Sequence, residues 1–472
     1  MANDKTTSSM VWSRLAHCVS ALRCGLAQGF GPWSSAVFRI CFGLSRRLSL
    51  TTFKVGGSLW FTVLPLFPLL FTGCLSTSES KRMQYQYDPP YGVEDMQFLR
   101  SQQALRTGLR PGNTAQLLEN GDGVFLRMFE DLRRAKHSIN IEVFIYDDGK
   151  VGHELAAILC ERARAGVEVR VLVDDMGSRL DALETDLVTA GVKFQVYKPV
   201  RLYTLHTVEH RTHRKIVTID GKLGYCGGFG FDDRWMGNAR NPDEWRDLAV
   251  RVEGPAVAQM QHIFLEDWLH TTGEVLHGDG QFPSIPLTGD MLVQAIASSR
   301  TDQASMSKLM MYMAIQAARK RIWIANAYFV PDLQIRLALI RAAKRGVDVR
   351  AVVPGPRIDL PHILYASRYY QGELIKGGVK VLEYEPTMLH TKAMVVDGVW
   401  STVGSINFVA RSFKKNAEAN VVIYDYGFAS RLEKAIAADF ALSRPITLEE
   451  TRKRGFFHHL RELCYSLLSE NY

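Results

Sequence analysis

The sequence lacks any grouping of residues that would hold a metal ion. Its seven cysteines are scattered, and no two of them stand at the spacing of a zinc site. Asp, Glu and His do not cluster at ligand spacing either. We therefore expect no metal, no other cofactor and no disulfide, and we interpret Cys160, Cys226 and Cys464 as small core residues.

Net positive charge is low in most of the chain. The net charge of the 472 residues is +8, but residues 1–73 contain seven basic residues and one acidic residue, or +6, which leaves +2 for the remainder. Proteins that bind nucleic acid usually present a strongly basic surface. We therefore expect no nucleic-acid partner, and a nuclease ranks low among the possible functions.

Long apolar runs are also rare, and the clearest one, 55–73, lies near the N-terminus. It is uncharged and just long enough to span a bilayer. The basic residues before it predict an N-terminus inside and a following chain outside. The run ends in small residues and Cys74, which resembles a bacterial lipoprotein cleavage box. Three alternatives stay open: lipidation at Cys74, an uncleaved membrane anchor, or a mis-assigned start. The first two predict attachment to a membrane of the bacterial cell envelope, on its non-cytoplasmic side.

The length of the chain and its 47% hydrophobic content exceed one ordinary core, so we expect two domains or one large duplicated one. Composition divides the chain into six segments. These are a basic N-terminal segment (1–54), a signal or anchor segment (55–75), a polar tether (76–96), a first half (97–272), a second half (291–446) and an amphipathic tail (447–472).

One short pattern occurs twice. Each copy reads His-x-Lys, then four residues, then Asp-Gly, and each is followed by a small-residue turn and later by an acid on an apolar segment. The first copy comprises His213, Lys215, Asp220, Gly228 and Asp247, and the second comprises His390, Lys392, Asp397, Ser405 and Glu418. The apolar run after each Lys is typical of a buried strand, which places His and Lys on the same strand face.

Other landmarks repeat in the same order. Residues 166–170 match 346–350, and residues 191–193 match 378–380, at nearly the offset that separates the two histidines. Repeats that keep their order indicate an internal duplication. The alternation of helix, glycine and strand around them is typical of an α/β sheet.

Two imidazoles brought together by such a duplication suit phosphate chemistry. One attacks phosphorus and forms a phosphohistidine, while the other protonates the leaving alkoxide and then deprotonates the incoming hydroxyl. Asp247 and Glu418 suit hydrogen bonds to the far nitrogen of each ring. We expect Lys215, Lys392 and Asn407 to hold the charged oxygens. Asp220 and Asp397 are included among the catalytic candidates as members of the motif, and of the two roles open to them, bracing their own turns or touching substrate, we expect the first.

The paired motif resembles that of the phospholipase D superfamily. The resemblance implies two αβα sandwich halves, related by a pseudo-two-fold axis, with one shared active site in which His213 is the nucleophile and His390 the acid and base. Finer matches are similar to bacterial cardiolipin synthases of the shorter type, over about 117–446. They are YASRYY at 365–370, EYEP at 383–386, RSF at 411–413 and WRD at 245–247. The sequence departs from that family at Gly230, where Asn is usual, and at Val409, where Asp is usual.

The resemblance implies a membrane-bound phosphatidyl transferase acting on an anionic phospholipid. A phosphatidyl group would pass from one phosphatidylglycerol to the hydroxyl of another, with release of glycerol. A phospholipase D that hydrolyses phospholipids shares every catalytic group and is the alternative. A nuclease or a non-catalytic lipid-binding module ranks lower, and no feature predicts the oligomeric state.

The tail is predicted to form an amphipathic helix. Its apolar residues recur at helical spacing, at Phe456, Phe457, Leu460, Leu463, Leu467 and Leu468. Two alternatives stay open, since such a helix either packs on the core or lies on a membrane surface.

Overall fold

The structure, a computed structural model, describes residues 85–105, 108–200, 210–298 and 305–467. These residues belong to one compact unit, Ser78–Tyr472. The basic segment, the apolar run and the candidate lipidation site Cys74 lie outside the described residues. None of the helices within the described ranges combines the length and the apolar character that a membrane span needs.

Fifteen strands of the described residues form one mixed sheet. The strands are β1 (Arg110–Glu119), β2 (Ser138–Val143), β3 (Glu168–Asp174), β4 (Lys193–Tyr197), β5 (Ile216–Ile219), β6 (Leu223–Gly227), β7 (Leu248–Glu253), β8 (Met291–Ser298), β9 (Arg321–Asn326), β10 (Asp348–Pro354), β11 (Lys380–Tyr384), β12 (Lys392–Val396), β13 (Trp400–Gly404), β14 (Glu418–Tyr424) and β15 (Ser443–Pro445).

Helices alternate with these strands. They are α1 (Met96–Gln103), α2 (Asn120–Arg133), α3 (Lys150–Arg164), α4 (Asp181–Thr189), α5 (Val257–Thr272), α6 (Met306–Ala317), α7 (Leu333–Lys344), α8 (Pro361–Lys376), α9 (Ala410–Lys414), α10 (Tyr426–Ala441), α11 (Leu448–Lys453) and α12 (Phe456–Leu467).

The order of the strands shows the duplication directly. From one edge it runs β15-β11-β10-β9-β12-β13-β14-β8, and it continues β1-β7-β6-β5-β2-β3-β4. Apart from the added edge strand β15, each half contains seven strands in mirrored order, and β1 pairs with β8 in antiparallel fashion at the centre. The duplicated α/β fold predicted from the sequence is therefore confirmed.

Burial explains why the two motif strands are apolar along their whole length. Every residue of β5 and of β12 is buried. Each half also contains three parallel strands, β2-β3-β4 and β9-β10-β11, whose crossover connections are helices. With both faces of a strand covered, alternation of apolar and polar residues disappears and a continuous apolar run remains.

The segment before the first half packs differently from the sequence-based expectation. Residues 85–96, expected to be part of the tether, pack on the second half: Tyr312 Oη donates a hydrogen bond to the Tyr85 carbonyl at 3.2 Å, and Tyr424 Oη donates to the Val93 carbonyl at 2.8 Å. Phe98 of α1, expected to begin the first half, is buried in the core of the second. Aromatic side chains give this segment an apolar surface that a solvated tether lacks.

Candidate active site

The two His-x-Lys motifs lie where the chain enters β5 and β12. Lys392 is the first residue of β12, and Lys215 immediately precedes β5. The two strands occupy equivalent positions in the two halves of the sheet. Each half therefore contributes the same chain segment, the one that leads into β5 or β12, to the site.

Each imidazole is held by the acid of the other half. His213 Nδ1 lies 2.8 Å from Glu418 Oε2, and His390 Nδ1 lies 2.8 Å from Asp247 Oδ2. In the sequence, by contrast, each acid follows the histidine of its own half. This exchange of partners makes the site a shared one, because neither half can orient its own imidazole.

Main-chain hydrogen bonds between the halves explain the exchange. The His213 amide donates to the Ala417 carbonyl at 2.8 Å, and the His390 amide donates to the Arg246 carbonyl at 2.7 Å. Ala417 immediately precedes Glu418, and Arg246 immediately precedes Asp247. Each motif is thus aligned against the chain that delivers the opposite acid.

The Glu418 carboxylate has a full set of donors. Besides His213, the hydroxyls of Ser405 and Ser412 each donate to it at 2.6 Å. Burial alone would raise the pKa of Glu418, but the neighbouring His213 with its hydrogen bond, the charge of Lys215 and the hydrogen bond from Ser405 hold that pKa below its usual range. An ionised Glu418 accepts a hydrogen bond from Nδ1–H of His213, which leaves the lone pair of Nε2 free to act as a nucleophile.

The Asp247 carboxylate is held differently. The indole of Trp235 donates to it at 2.9 Å and the Leu248 amide at 2.8 Å. Gly228 stands where the second half has Ser405, and a Cβ there would lie 2.4 Å from Asp247 Oδ1. The first half therefore requires glycine at this position, because the carboxylate itself fills the space.

The two lysines are buried beside the imidazoles. Lys215 Nζ donates to the carbonyl of His213 at 2.8 Å, and Lys392 Nζ donates to that of His390 at 2.5 Å. Burial lowers the pKa of Lys215 to about 7 and that of Lys392 to about 8. The charge of Glu418 opposes the lowering of the Lys215 pKa, and the charge of Lys392 contributes to it. An anion placed between the ammonium groups would relieve their repulsion.

Burial favours the neutral form of both imidazoles. Burial lowers the pKa of His213 to about 4, with partial compensation from Glu418, and burial together with Lys392 lowers that of His390 to about 3. A neutral ring suits the nucleophile, but a proton donor must be charged. The negative charge of a bound phosphate favours protonation of the ring that serves as the acid.

The other sequence-predicted residues lie at different distances from this chemistry. The Asp220 carboxylate accepts hydrogen bonds from the amides of 136–138, and the Asp397 carboxylate accepts them from the amides of 319–321. Both aspartates sit in left-handed turns at the far ends of β5 and β12, with φ of 52° and 53°. They therefore brace the starts of β2 and β9, and no hydrogen bond joins them to either described imidazole.

The remaining expectations concern Asn407 and the two departures from the family pattern. Asn407 Oδ1 accepts a hydrogen bond from the Tyr328 amide at 3.3 Å. At the equivalent Gly230, a Cβ would lie 3.0 Å from both Ile145 and the ring of Trp235, so a larger side chain would be crowded. Val409 occupies the N-cap of α9 and supplies no side-chain cap.

Sequence reasoning missed three residues around the site. Trp235 and Ser412 hydrogen-bond the two acids, and the ring of Tyr328 stands edge-on to His390 with 6.4 Å between centroids. In the sequence, Ser412 stands out only as part of the matched tripeptide RSF at 411–413. Nothing in the sequence pattern distinguishes Trp235 or Tyr328 from ordinary core residues. Within the described ranges, no three side chains of the metal-ligating types cluster.

Comparison with known proteins matches both halves. The family described as "Cardiolipin synthase, PLD-like domain" matches residues 128–268 and 311–440. A cardiolipin synthase of Geobacillus kaustophilus (strain HTA426) is 36% identical over 404 residues, which cover 83% of this chain and 80% of that protein. Cardiolipin synthase A of Pseudomonas syringae pv. syringae (strain B728a) is 36% identical over 362 residues, covering 76% and 74%. In fold, the chain resembles the phosphatidylserine synthase of Haemophilus influenzae Rd KW20, with a TM-score of 0.59, 13% identity, and coverage of 76% of this chain and 95% of that one.

Proposed function

The chain belongs to the cardiolipin synthase, PLD-like domain family, and from that premise we propose that it is a phosphatidyltransferase. It moves a phosphatidyl group from one phosphatidylglycerol to the hydroxyl of a second and releases glycerol. The observation that carries the proposal is the cross-paired site, in which each imidazole is held by the acid of the other half and a buried lysine donates to the carbonyl of each motif histidine. Relatives named cardiolipin synthase support this choice of substrate.

In the first step, His213 Nε2 attacks phosphorus. The bond between nitrogen and phosphorus forms while the bond from phosphorus to the glycerol oxygen breaks, and His390 gives its proton to that oxygen. Lys215 and Lys392 neutralise the phosphate oxygens as charge develops on them. Glu418 stabilises the positive charge that the His213 ring acquires.

In the second step, His390 takes the proton of the incoming hydroxyl. That oxygen attacks phosphorus, the bond to His213 breaks, and the nucleophile returns to its neutral form. Asp247 keeps the same tautomer of His390 through both transfers by accepting a hydrogen bond from its Nδ1–H. The proton that left His390 in the first step is thereby restored.

Lipid mass spectrometry after expression in a bacterial host that lacks cardiolipin tests the proposal. Cardiolipin should appear with the natural chain and not with His213→Ala or His390→Ala. The accumulation of phosphatidic acid without cardiolipin would show hydrolysis instead. Binding to anionic vesicles without any turnover would show a lipid-binding module.

We further propose that 55–75 attaches the enzyme to a membrane with its catalytic body on the non-cytoplasmic side. The uncharged run 55–73 and the basic residues before it support this orientation. A tether to the bilayer raises the local concentration of a lipid substrate. Protease added to spheroplasts should digest the body, and full protection until the membrane is broken would contradict the placement. Cys74→Ser should leave a heavier precursor if Cys74 is lipidated, and no change in size if the anchor is uncleaved.

A further inference from the structure

The C-terminal helix α12 presents its apolar side to solvent. Phe456 and Phe457 are 73% and 81% exposed, and three leucines are between 38% and 64% exposed, namely Leu460, Leu463 and Leu467. The fully buried residues of this helix are Glu462 and Ser466, which are polar. A helix that packs on a protein core normally shows the reverse arrangement.

Specific contacts fix this orientation. Arg454 donates to Glu462 at 3.2 Å and to Gln371 of α8 at 2.8 Å. The ring of Tyr465 stacks on Tyr365 of α8 with 5.8 Å between centroids. Because the polar side is attached to α8 in this way, the apolar side faces outward.

The charges on and beside this helix are mainly positive. Residues 451–467 contain four basic residues, Arg452, Lys453, Arg454 and Arg461, and one acid, which is the buried Glu462. In the preceding turn, Glu449 forms an ion pair with Lys453 at 2.6 Å. Arg452, Lys453 and Arg461 are exposed. An apolar stripe bordered by basic side chains complements the surface of an anionic bilayer, where rings enter the acyl boundary and cations meet the headgroups.

The helix is also connected to the active site. Its partner α8 begins two residues after Asp359, whose carboxylate accepts a hydrogen bond from Tyr328 Oη at 2.7 Å. The ring of Tyr328 stands beside His390. A surface that binds α12 is therefore connected to the catalytic site through α8 and the pair formed by Asp359 and Tyr328.

We propose that the apolar side of α12 inserts into the surface of an anionic phospholipid bilayer and brings the active site to its substrate. The benefit to catalysis rests on the proposed function, whereas the insertion itself does not. The occupant of this surface is the bilayer, rather than residues 1–84 or a second copy of the chain.

Photo-cross-linking identifies the occupant. The photoreactive residue p-benzoylphenylalanine replaces Phe457 in the full chain, reconstituted in vesicles of phosphatidylglycerol and phosphatidylcholine. A matched control carries it at Leu126 of α2, which is 73% exposed. Lipid adducts should exceed those of the control by about fivefold. Adducts with residues 1–84, adducts with another copy, or no excess over the control would overturn the proposal.

A kinetic comparison tests the consequence for catalysis. The double variant Phe456→Asp with Phe457→Asp should lower turnover of phosphatidylglycerol in vesicles about tenfold, because two apolar side chains no longer enter the bilayer. Turnover of a short-chain phosphatidylglycerol dissolved as monomers should stay unchanged, as should both activities of Leu126→Asp. An equal fall with both substrates would indicate a structural role and overturn the proposal. If the natural chain turns over neither lipid, the proposed function fails while the cross-linking still decides the insertion.

Discussion

Replacing Glu418 by Gln removes the charge behind the proposed nucleophile while keeping its shape. The carboxylate accepts three hydrogen bonds, from His213 Nδ1 at 2.8 Å and from the hydroxyls of Ser405 and Ser412 at 2.6 Å each. A glutamine has one acceptor oxygen and one amide nitrogen in their place. If the nitrogen faces His213, the ring proton moves to Nε2, and the attacking lone pair is lost. If the oxygen faces His213, the tautomer survives without the negative charge.

Either outcome is costly for the transfer step. The same change behind the histidine of a serine protease lowers kcat about 10⁴-fold, and we expect a loss of about 10³- to 10⁴-fold for Glu418→Gln. This range corresponds to roughly 4–5.5 kcal/mol of transition-state stabilisation. Ser412→Ala is the matched control, because it removes one hydrogen bond to the ionised carboxylate, worth about 1.5–3 kcal/mol, and should cost about 10- to 150-fold.

An activated substrate separates the two acids. A phosphatidyl ester with a nitrophenol leaving group does not need the proton of His390, so Asp247→Asn should retain the burst of nitrophenol release in a rapid-mixing assay. Glu418→Gln should lose that burst, because its nucleophile is impaired. A normal burst in Glu418→Gln combined with its loss in Asp247→Asn would refute the assignment of His213, held by Glu418, as the nucleophile.

Three further outcomes are expected. Binding of inorganic phosphate should be accompanied by proton uptake between pH 7 and 9 and should weaken as pH rises. The reason is that a bound anion raises the pKa of Lys215 from about 7 and that of Lys392 from about 8. Calorimetry in buffers of different ionisation heat measures the proton uptake. Gly228→Ala should lower kcat at least tenfold in the lipid assay, since its Cβ would lie 2.4 Å from Asp247 Oδ1 and displace that carboxylate. Asp397→Ala should destabilise the fold by about 2–3 kcal/mol, seen as a lower Tm, and leave the kcat of folded enzyme unchanged, because it removes an acceptor from three amides.

Each of these has a contrary result. Proton release on binding phosphate would contradict the lysine assignment. Gly123→Ala, whose Cβ meets its nearest neighbour at 3.8 Å, is the control for Gly228→Ala, and equal activity in the two variants would show that the carboxylate has room to move. A large fall in the kcat of Asp397→Ala at unchanged Tm would place that carboxylate in the chemistry.

Local patterns predicted much of the fold and of the site. The apolar runs after Lys215 and Lys392 correspond to buried strands, and the repeated landmarks correspond to a sheet with mirrored halves. The family resemblance is confirmed by relatives that cover most of the chain. These features were accessible because burial on both strand faces and duplication leave periodic traces in the sequence.

Long-range geometry was not accessible in the same way. Asp247 follows His213 in the chain, yet it bonds His390, because a main-chain crossing between the halves decides the partner. In the sequence, nothing distinguishes Trp235 from an ordinary core residue. In the structure, its indole donates a hydrogen bond to the Asp247 carboxylate. The periodicity of α12 predicted an amphipathic helix, but only its contacts with α8 reveal which side faces outward.

The most direct test of the shared two-histidine site is to identify which residue carries the covalent phosphatidyl intermediate. Mixing the enzyme with phosphatidylglycerol, quenching under conditions that preserve phosphoramidates, and mapping the peptide by mass spectrometry would locate the phosphatidyl group. It should lie on His213, persist in Asp247→Asn and disappear in Glu418→Gln. A phosphatidyl group on His390, or turnover with no covalent intermediate at any quench time, would contradict the mechanism.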